Sequence, residues 1–293
     1  IFHIFAQMNN QTYMRMKKLI PVLIAAAAAI AFCACTSNKK TMETTESPRT
    51  LILYYSQTGT TRLVADELKS TLNADIAEVT AKDPYSGNFD ETIQRCLAEM
   101  QAGTIPAIDS LTVNIADYDT IFLGYPIWFG TYARPIMGLL DTCDFSGKTI
   151  VPFCTFGSGG LEASTADLKK AQPKANVLEG YGVRQARIAK MPAELKQFLI
   201  DNGFVPGEKS ALAAFPEPLP VTAAEVATFD AACGGYEYPL GTPVMVAKRP
   251  VPSGTEHKFI VNGKGPDGSD TQNAIYVIAD STSTPEFTKV VPL

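Results

Sequence analysis

The chain has 293 residues, 46% hydrophobic and 19% charged, with 20 prolines and 21 glycines. That is too apolar for a disordered chain and too mixed for a polytopic membrane protein. At about 150 residues per domain it allows two domains, or one with tails. Its 25 basic and 30 acidic residues leave a net charge of −5, which gives no electrostatic footprint for nucleic acid.

The balance is uneven along the chain, because residues 1–35 contain Arg15, Lys17 and Lys18 and no acid. A basic stretch followed by the uncharged run Leu19 to Ala34 reads as a secretory signal, and it is short for a spanning helix, which needs about 20 residues. The run ends in Phe32-Cys33-Ala34-Cys35 and then turns polar. That junction resembles a bacterial lipobox, with Cys35 as the residue expected to be lipidated and to anchor an exported protein to a membrane, on the periplasmic side or at the cell surface. Residues 36–49, rich in Thr, Ser, Lys and Glu, read as a flexible tether.

From Thr50 short apolar runs alternate with amphipathic segments. Strands are expected at Leu51–Tyr55, Ile76–Val79, Thr120–Gly124, Thr149–Cys154 and Asn176–Leu178. Helices are expected at Thr60–Leu72, Asp90–Gln101, Ala133–Asp141, Ala163–Lys170 and Pro192–Asn202. Five β–α units at this spacing predict an α/β domain over 50–204, a five-stranded, parallel, doubly wound sheet. Ligands in such sheets sit beyond the carboxyl ends of the strands, where strand order reverses.

Three strand-to-helix loops carry unusual residues. Ser56-Gln57-Thr58-Gly59-Thr60-Thr61 is hydroxyl-rich and lacks the lysine of a nucleotide-triphosphate loop and the three glycines of a dinucleotide fingerprint. Hydroxyls and backbone N–H groups at a helix start suit a single phosphate monoester. The second loop, Tyr125-Pro126-Ile127-Trp128-Phe129-Gly130-Thr131, holds the only tryptophan, as a core residue or as a stacking face for a flat ligand. In Thr155-Phe156-Gly157-Ser158-Gly159-Gly160, glycines leave backbone groups open to edge-on hydrogen bonding.

On these motifs the chain resembles the flavodoxins. The Ser56–Thr61 loop matches the family's FMN phosphate loop, and Tyr125–Gly130, Phe145-Ser146-Gly147-Lys148 and Phe153–Gly160 match a bacterial subgroup. The resemblance implies a flavodoxin-like sheet and FMN as cofactor. It implies that Ser56, Gln57, Thr58, Gly59, Thr60 and Thr61 cradle the phosphate, and that Pro126, Ile127, Trp128, Phe129 and Gly130 flank the isoalloxazine, with Trp128 stacked on it. Thr155, Phe156, Gly157, Ser158 and Gly159 would line its other side or edge, Phe156 being the one candidate for a second aromatic. It further implies an electron carrier exchanging with a redox partner protein, with no side chain acting as acid or base. The two histidines, His3 and His257, form no Ser–His–Asp set, and Cys96, Cys143, Cys154 and Cys233 show no metal-ligand spacing, which leaves disulfides or buried thiols.

Residues 205–221 contain a cluster of prolines and read as a linker. Beyond them Thr222 and Glu225 form a capping-box pair before a helix at Ala223–Cys233, which Gly234-Gly235 ends. Extended runs follow at Pro243–Ala247, His257–Val261, Ala274–Ala279 and Glu286–Val291, so residues 222–293 read as a small α+β domain. Its order weakly resembles a half-cystatin, with the hairpin near Val251–Gly254 at the inhibitory position, although only Val251 and Gly254 agree in place. Three functions stay open on the sequence: an exported FMN-binding electron-transfer protein or flavin-dependent reductase, a flavodoxin-fold binding module without cofactor, and an interaction or inhibitor protein acting through the second domain.

Overall fold

The computed structural model describes residues 49–265 and 268–293, so the expected export signal, Cys35 and nearly all of the tether lie outside the described residues. In β1 (Thr50–Tyr54), Leu51 and Leu53 enter one hydrophobic core while Ile52 and Tyr54 enter another. A strand buried on both faces is what a parallel sheet covered by helices requires. Around it stand β2 (Asp75–Glu78), β3 (Thr120–Trp128), β5 (Thr149–Phe156) and, at the far edge, β6 (Asn176–Val177) and β7 (Tyr181–Arg184), with the short β4 (Thr131–Tyr132) paired to β3. The order is β2-β1-β3-β5, then β6 and β7 in turn on the free side of β5, all parallel except β4. The five strand positions are those expected, and the order reverses between β1 and β3, which places the ligand-binding edge there.

Helices α1 (Thr60–Leu72) and α5 (Met191–Asp201) cover one face through Val64, Leu68, Leu195 and Leu199. Helices α3 (Arg134–Thr142) and α4 (Glu162–Ala171) cover the other through Ile136, Leu139 and Leu168. Helix α2 (Phe89–Ala102) starts at Asn88, whose side chain accepts from Glu91 N, and ends at Gly103 with a positive φ of 63°. At the sheet centre Gly124 sits against Phe153, and a Cβ added there would lie 2.1 Å from the ring. Gly124→Ala is therefore expected to destabilise the chain by about 3 kcal/mol, the upper range for overpacking. Urea unfolding followed by circular dichroism measures it, and an unchanged midpoint would contradict this packing.

Three boundaries differ from the expected ones. Strand β3 continues to Trp128, so of the expected Tyr125–Thr131 loop only Phe129-Gly130 is a turn. Pro126 is tolerated there because β1 ends opposite Gly124, leaving no β1 residue to pair with the proline. Strand β5 runs on to Phe156, and the fifth position resumes as β7 after its expected end at Leu178.

The second domain is α+β, as expected. The 205–221 segment is more than a linker, since β8 (Leu219–Pro220) forms the edge of a five-stranded antiparallel sheet of order β12-β11-β10-β9-β8. The other strands are β9 (Thr242–Val251), β10 (Gly254–Lys264), β11 (Asp270–Ala279) and β12 (Glu286–Pro292). Helix α6 (Ala223–Cys233) carries the capping box and lays Phe229 and Cys233 on Phe259, Val261, Ile275 and Val277. Cys96, Cys143, Cys154 and Cys233 are all free thiols. His257 is buried on β10, stacked on Phe259 at 5.7 Å.

Candidate functional site

The three loops converge at the carboxyl edge of β1, β3 and β5. In the first, Gly59 is the N-cap of α1 with φ 89°, it offers no side chain to cap the helix, and the first turn holds no acidic residue. A helix start whose capping residue brings no side-chain acceptor and whose first turn brings no acid favours an anion. Thr58 is exposed and Ser56, Gly59 and Thr60 are half-buried, so they remain available around that terminus. Ser56 Oγ accepts from Arg62 N at 3.3 Å. Thr61 Oγ1 is engaged with Thr155 Oγ1 at 2.8 Å, a buried bond that ties the loop to β5. Gln57 Nε2 donates to Thr92 Oγ1 at 2.7 Å and to Ser86 O, bracing the loop against α2. The Arg62 guanidinium turns to Glu78, 2.5 Å away, so the donors offered to an anion are neutral.

The second loop is a tight hairpin. Trp128 pairs with Thr131 across Phe129 and Gly130, whose φ values of 50° and 80° follow the type I′ pattern that suits twisted strands. Trp128 is half-buried, edge-on to Tyr55 at 5.7 Å and to Tyr85 at 5.1 Å. Behind Tyr85 lies a charged network. Tyr85 Oη donates to Glu99 at 2.7 Å, Arg95 Nε donates to Glu99 at 2.9 Å and stacks its guanidinium 3.9 Å from the Tyr85 ring, and Arg134 Nε reaches Glu99 at 2.5 Å. Burial alone would raise the Glu99 carboxyl, but hydrogen bonds from Tyr85, Arg95 and Arg134 outweigh it and hold its pKa below the ordinary value. Since Arg134 opens the helix that follows the hairpin, one carboxylate fixes both the backing of Trp128 and the exit of its loop.

In the third loop, Gly157 and Gly159 have open space where a Cβ would stand. Gly157 O accepts from Arg184 Nε at 2.7 Å and Gly159 O from Val290 N at 2.9 Å. Thr155 and Phe156 do not face this space. Both are buried, and Phe156 joins the core with Cys154, Leu161 and Leu168, because β5 extends two residues further than expected and turns that ring inward. The structure therefore removes Phe156 as a second aromatic at the site.

Between the second and third loops opens a cavity of about 500 Å³. Gln57, Ile127, Trp128, Phe129, Gly130, Gly157, Ser158 and Gly159 line it, and Pro126 does not. Besides Glu162 and Ala163 at the start of α4, two groups of lining residues were not anticipated. Phe89, Thr92, Ile93 and Cys96 come from α2, where Phe89, Ile93 and Cys96 at i, i+4 and i+7 form one apolar helix face that the sequence pattern could have revealed. Tyr236, Tyr238 and Val290–Pro292 come from the second domain and carried no sequence signal. Glu162, the one charged side chain lining the cavity among the described residues, is paired with Lys289. Among the described residues no group of three or more His, Cys, Asp or Glu gathers as a metal site, and no helix is long and apolar enough to cross a membrane.

No curated protein matches the chain. Among solved structures, a candidate flavoprotein of Bacteroides eggerthii is 32% identical over 51% of this chain and 97% of its own, with a TM-score of 0.45. A candidate flavoprotein of Bacteroides uniformis is 28% identical over 52% of this chain and 99% of its own, at 0.46. A flavoprotein of Lactobacillus acidophilus, solved in complex with FMN, is 25% identical over 50% of this chain and 99% of its own, at 0.43. The family profile described as Flavodoxin matches residues 49–199, just over half of the chain and the whole of the doubly wound sheet. The chain belongs to the flavodoxin family.

Proposed function

We propose that the chain binds FMN at this edge of the sheet and serves in electron transfer, exchanging with a redox partner protein. The observation that carries the reading is the juxtaposition of a hydroxyl-rich helix start, with glycine at its N-cap and no acid in its first turn, with an aromatic-walled cavity of a size suited to a small ligand. Bound FMN would supply the redox chemistry, and the chain supplies binding and electrostatics. Ser56, Thr58, Gly59, Thr60 and the backbone at Thr61 would hold the phosphate with neutral donors. Trp128 and Phe129 would take the ring, and the open glycines at 157 and 159 let its edge approach the main chain. The FMN complex of the Lactobacillus acidophilus protein supports the choice of flavin. Export, with a lipid on Cys35 as membrane anchor, belongs to the same proposal and rests on the sequence of residues 1–35.

The test compares FMN with lumiflavin, the same ring without the phosphate, by flavin fluorescence titration. Both are expected to be quenched, FMN binding the tighter. Gly59→Asp places a carboxylate at the anion cradle in a residue type that tolerates left-handed backbone. It should weaken FMN about thirtyfold, on the order of 2 kcal/mol for charge at a helix start, and leave lumiflavin unchanged. Unquenched FMN at high protein concentration would refute the cofactor assignment.

A further inference from the structure

The first domain is fastened to the second at the third loop and at residues 184–190, by main-chain and charged contacts. Arg184, at the end of β7, donates through Nε to Gly157 O and through Nη1 to Phe287 O at 2.9 Å, with its guanidinium 4.0 Å from the Phe287 ring. Val290 N donates to Gly159 O. Glu286 receives Lys190 at 2.6 Å and Arg187 at 3.1 Å. One carbonyl of the loop, at Gly159, is thus satisfied from the second sheet, and the other, at Gly157, by Arg184, which also donates to the second sheet at Phe287 O. Beyond this junction the second domain places two aromatics on the cavity. Tyr236 is held edge-on to Phe287 at 5.5 Å, and Tyr238, 58% exposed, lies edge-on to Tyr236 at 5.9 Å. An exposed ring at an apolar cavity, braced by a fixed ring behind it, offers contact area at little entropic cost.

We infer that the second domain is a permanent wall of the cavity, and that Tyr236 and Tyr238 supply the second aromatic surface for a small flat ligand. They take the place that Phe156, buried in the core, leaves open. The identity of the flat ligand rests on the FMN reading above; the wall does not. A flavodoxin sheet alone would leave this side of its site to solvent, whereas here the ligand is held between the chain's two domains.

Trp128 is the only tryptophan of the chain, so its emission reports on the cavity without any cofactor. Acrylamide quenching is measured on the full chain, native and Glu286→Arg, which gathers like charges at the junction. The quenching constant is expected to rise about twofold as the cavity that Trp128 lines loses one wall and opens to solvent. Glu286→Gln, which removes the charge without reversing it, serves if the first variant fails to fold. In parallel, Tyr238→Ala should raise the Kd for lumiflavin about fivefold, the worth of one aromatic contact, while Tyr238→Phe stays at the native value. Unchanged quenching in the Glu286 variants together with unchanged lumiflavin affinity in Tyr238→Ala would overturn the inference. If FMN and lumiflavin bind but neither effect is seen, the wall fails and the FMN reading stands. If quenching responds and no flavin binds, the wall stands and the FMN reading fails.

Discussion

Replacing Trp128 by alanine is expected to weaken FMN and lumiflavin alike by about thirtyfold, on the order of 2 kcal/mol for a lost aromatic face and its buried area. The equal loss for the two ligands is the diagnostic feature, because it assigns the effect to the ring and leaves the phosphate cradle at Gly59 intact. The indole is held before any ligand arrives. Tyr55 and Tyr85 meet it edge-on, and the hairpin closes one residue beyond it. Little conformational freedom therefore remains to be lost on binding. Trp128→Phe should recover most of the affinity. Isothermal titration with both flavins checks the prediction, and a loss confined to FMN would mean that Trp128 acts on the phosphate side instead.

Glu99→Ala should produce the largest change in stability. It strips the carboxylate from Arg134, whose side chain is 9% exposed, and from Arg95 and Tyr85 together. Breaking a buried pair from one side typically costs about 3–5 kcal/mol, since the remaining charge keeps its desolvation penalty. In a chain of this size that lowers Tm by roughly 10 °C. The same carboxylate sets an acid limit. Its folded pKa lies below the ordinary 4.5, so the network's contribution is complete above that value and is lost as the pH falls through the lowered one. Differential scanning calorimetry of native chain and Glu99→Ala from pH 7 to pH 3 should show the gap between them closing at the acid end. A gap that stays constant while the Glu99 carboxyl is seen to take up its proton would show that Glu99 contributes through packing, not charge.

The doubly wound sheet was legible because its strands are unbroken apolar runs and its helices amphipathic, two patterns that a sequence displays directly. Leu51–Tyr54 and the α1 stripe of Val64 and Leu68 are examples. The hydroxyl loop was legible for a different reason: its residues are adjacent in the chain. What escaped is what depends on register. Whether β5 stops at Cys154 or at Phe156 decides if an aromatic faces ligand or core, and a strand buried on both sides has no polar alternation to mark its end. The hairpin at Phe129 was hidden in the same way, since a proline at 126 reads as a loop unless the neighbouring strand is known to have ended. The tyrosines at 236 and 238 lie more than 75 residues beyond the third loop, and nothing in their own turn announces which surface they meet.

Phe129 carries a consequence for how this chain can have evolved. Its φ of 50° puts a bulky L residue in the left-handed region, where a β-carbon costs about 1–2 kcal/mol and where Asn or Gly would sit more comfortably. Its ring is also 51% exposed, so it contributes less burial than a core phenylalanine does. Drift toward greater stability would tend to erase such a residue. A phenylalanine held there against that cost serves the cavity it lines and not the stability of the fold.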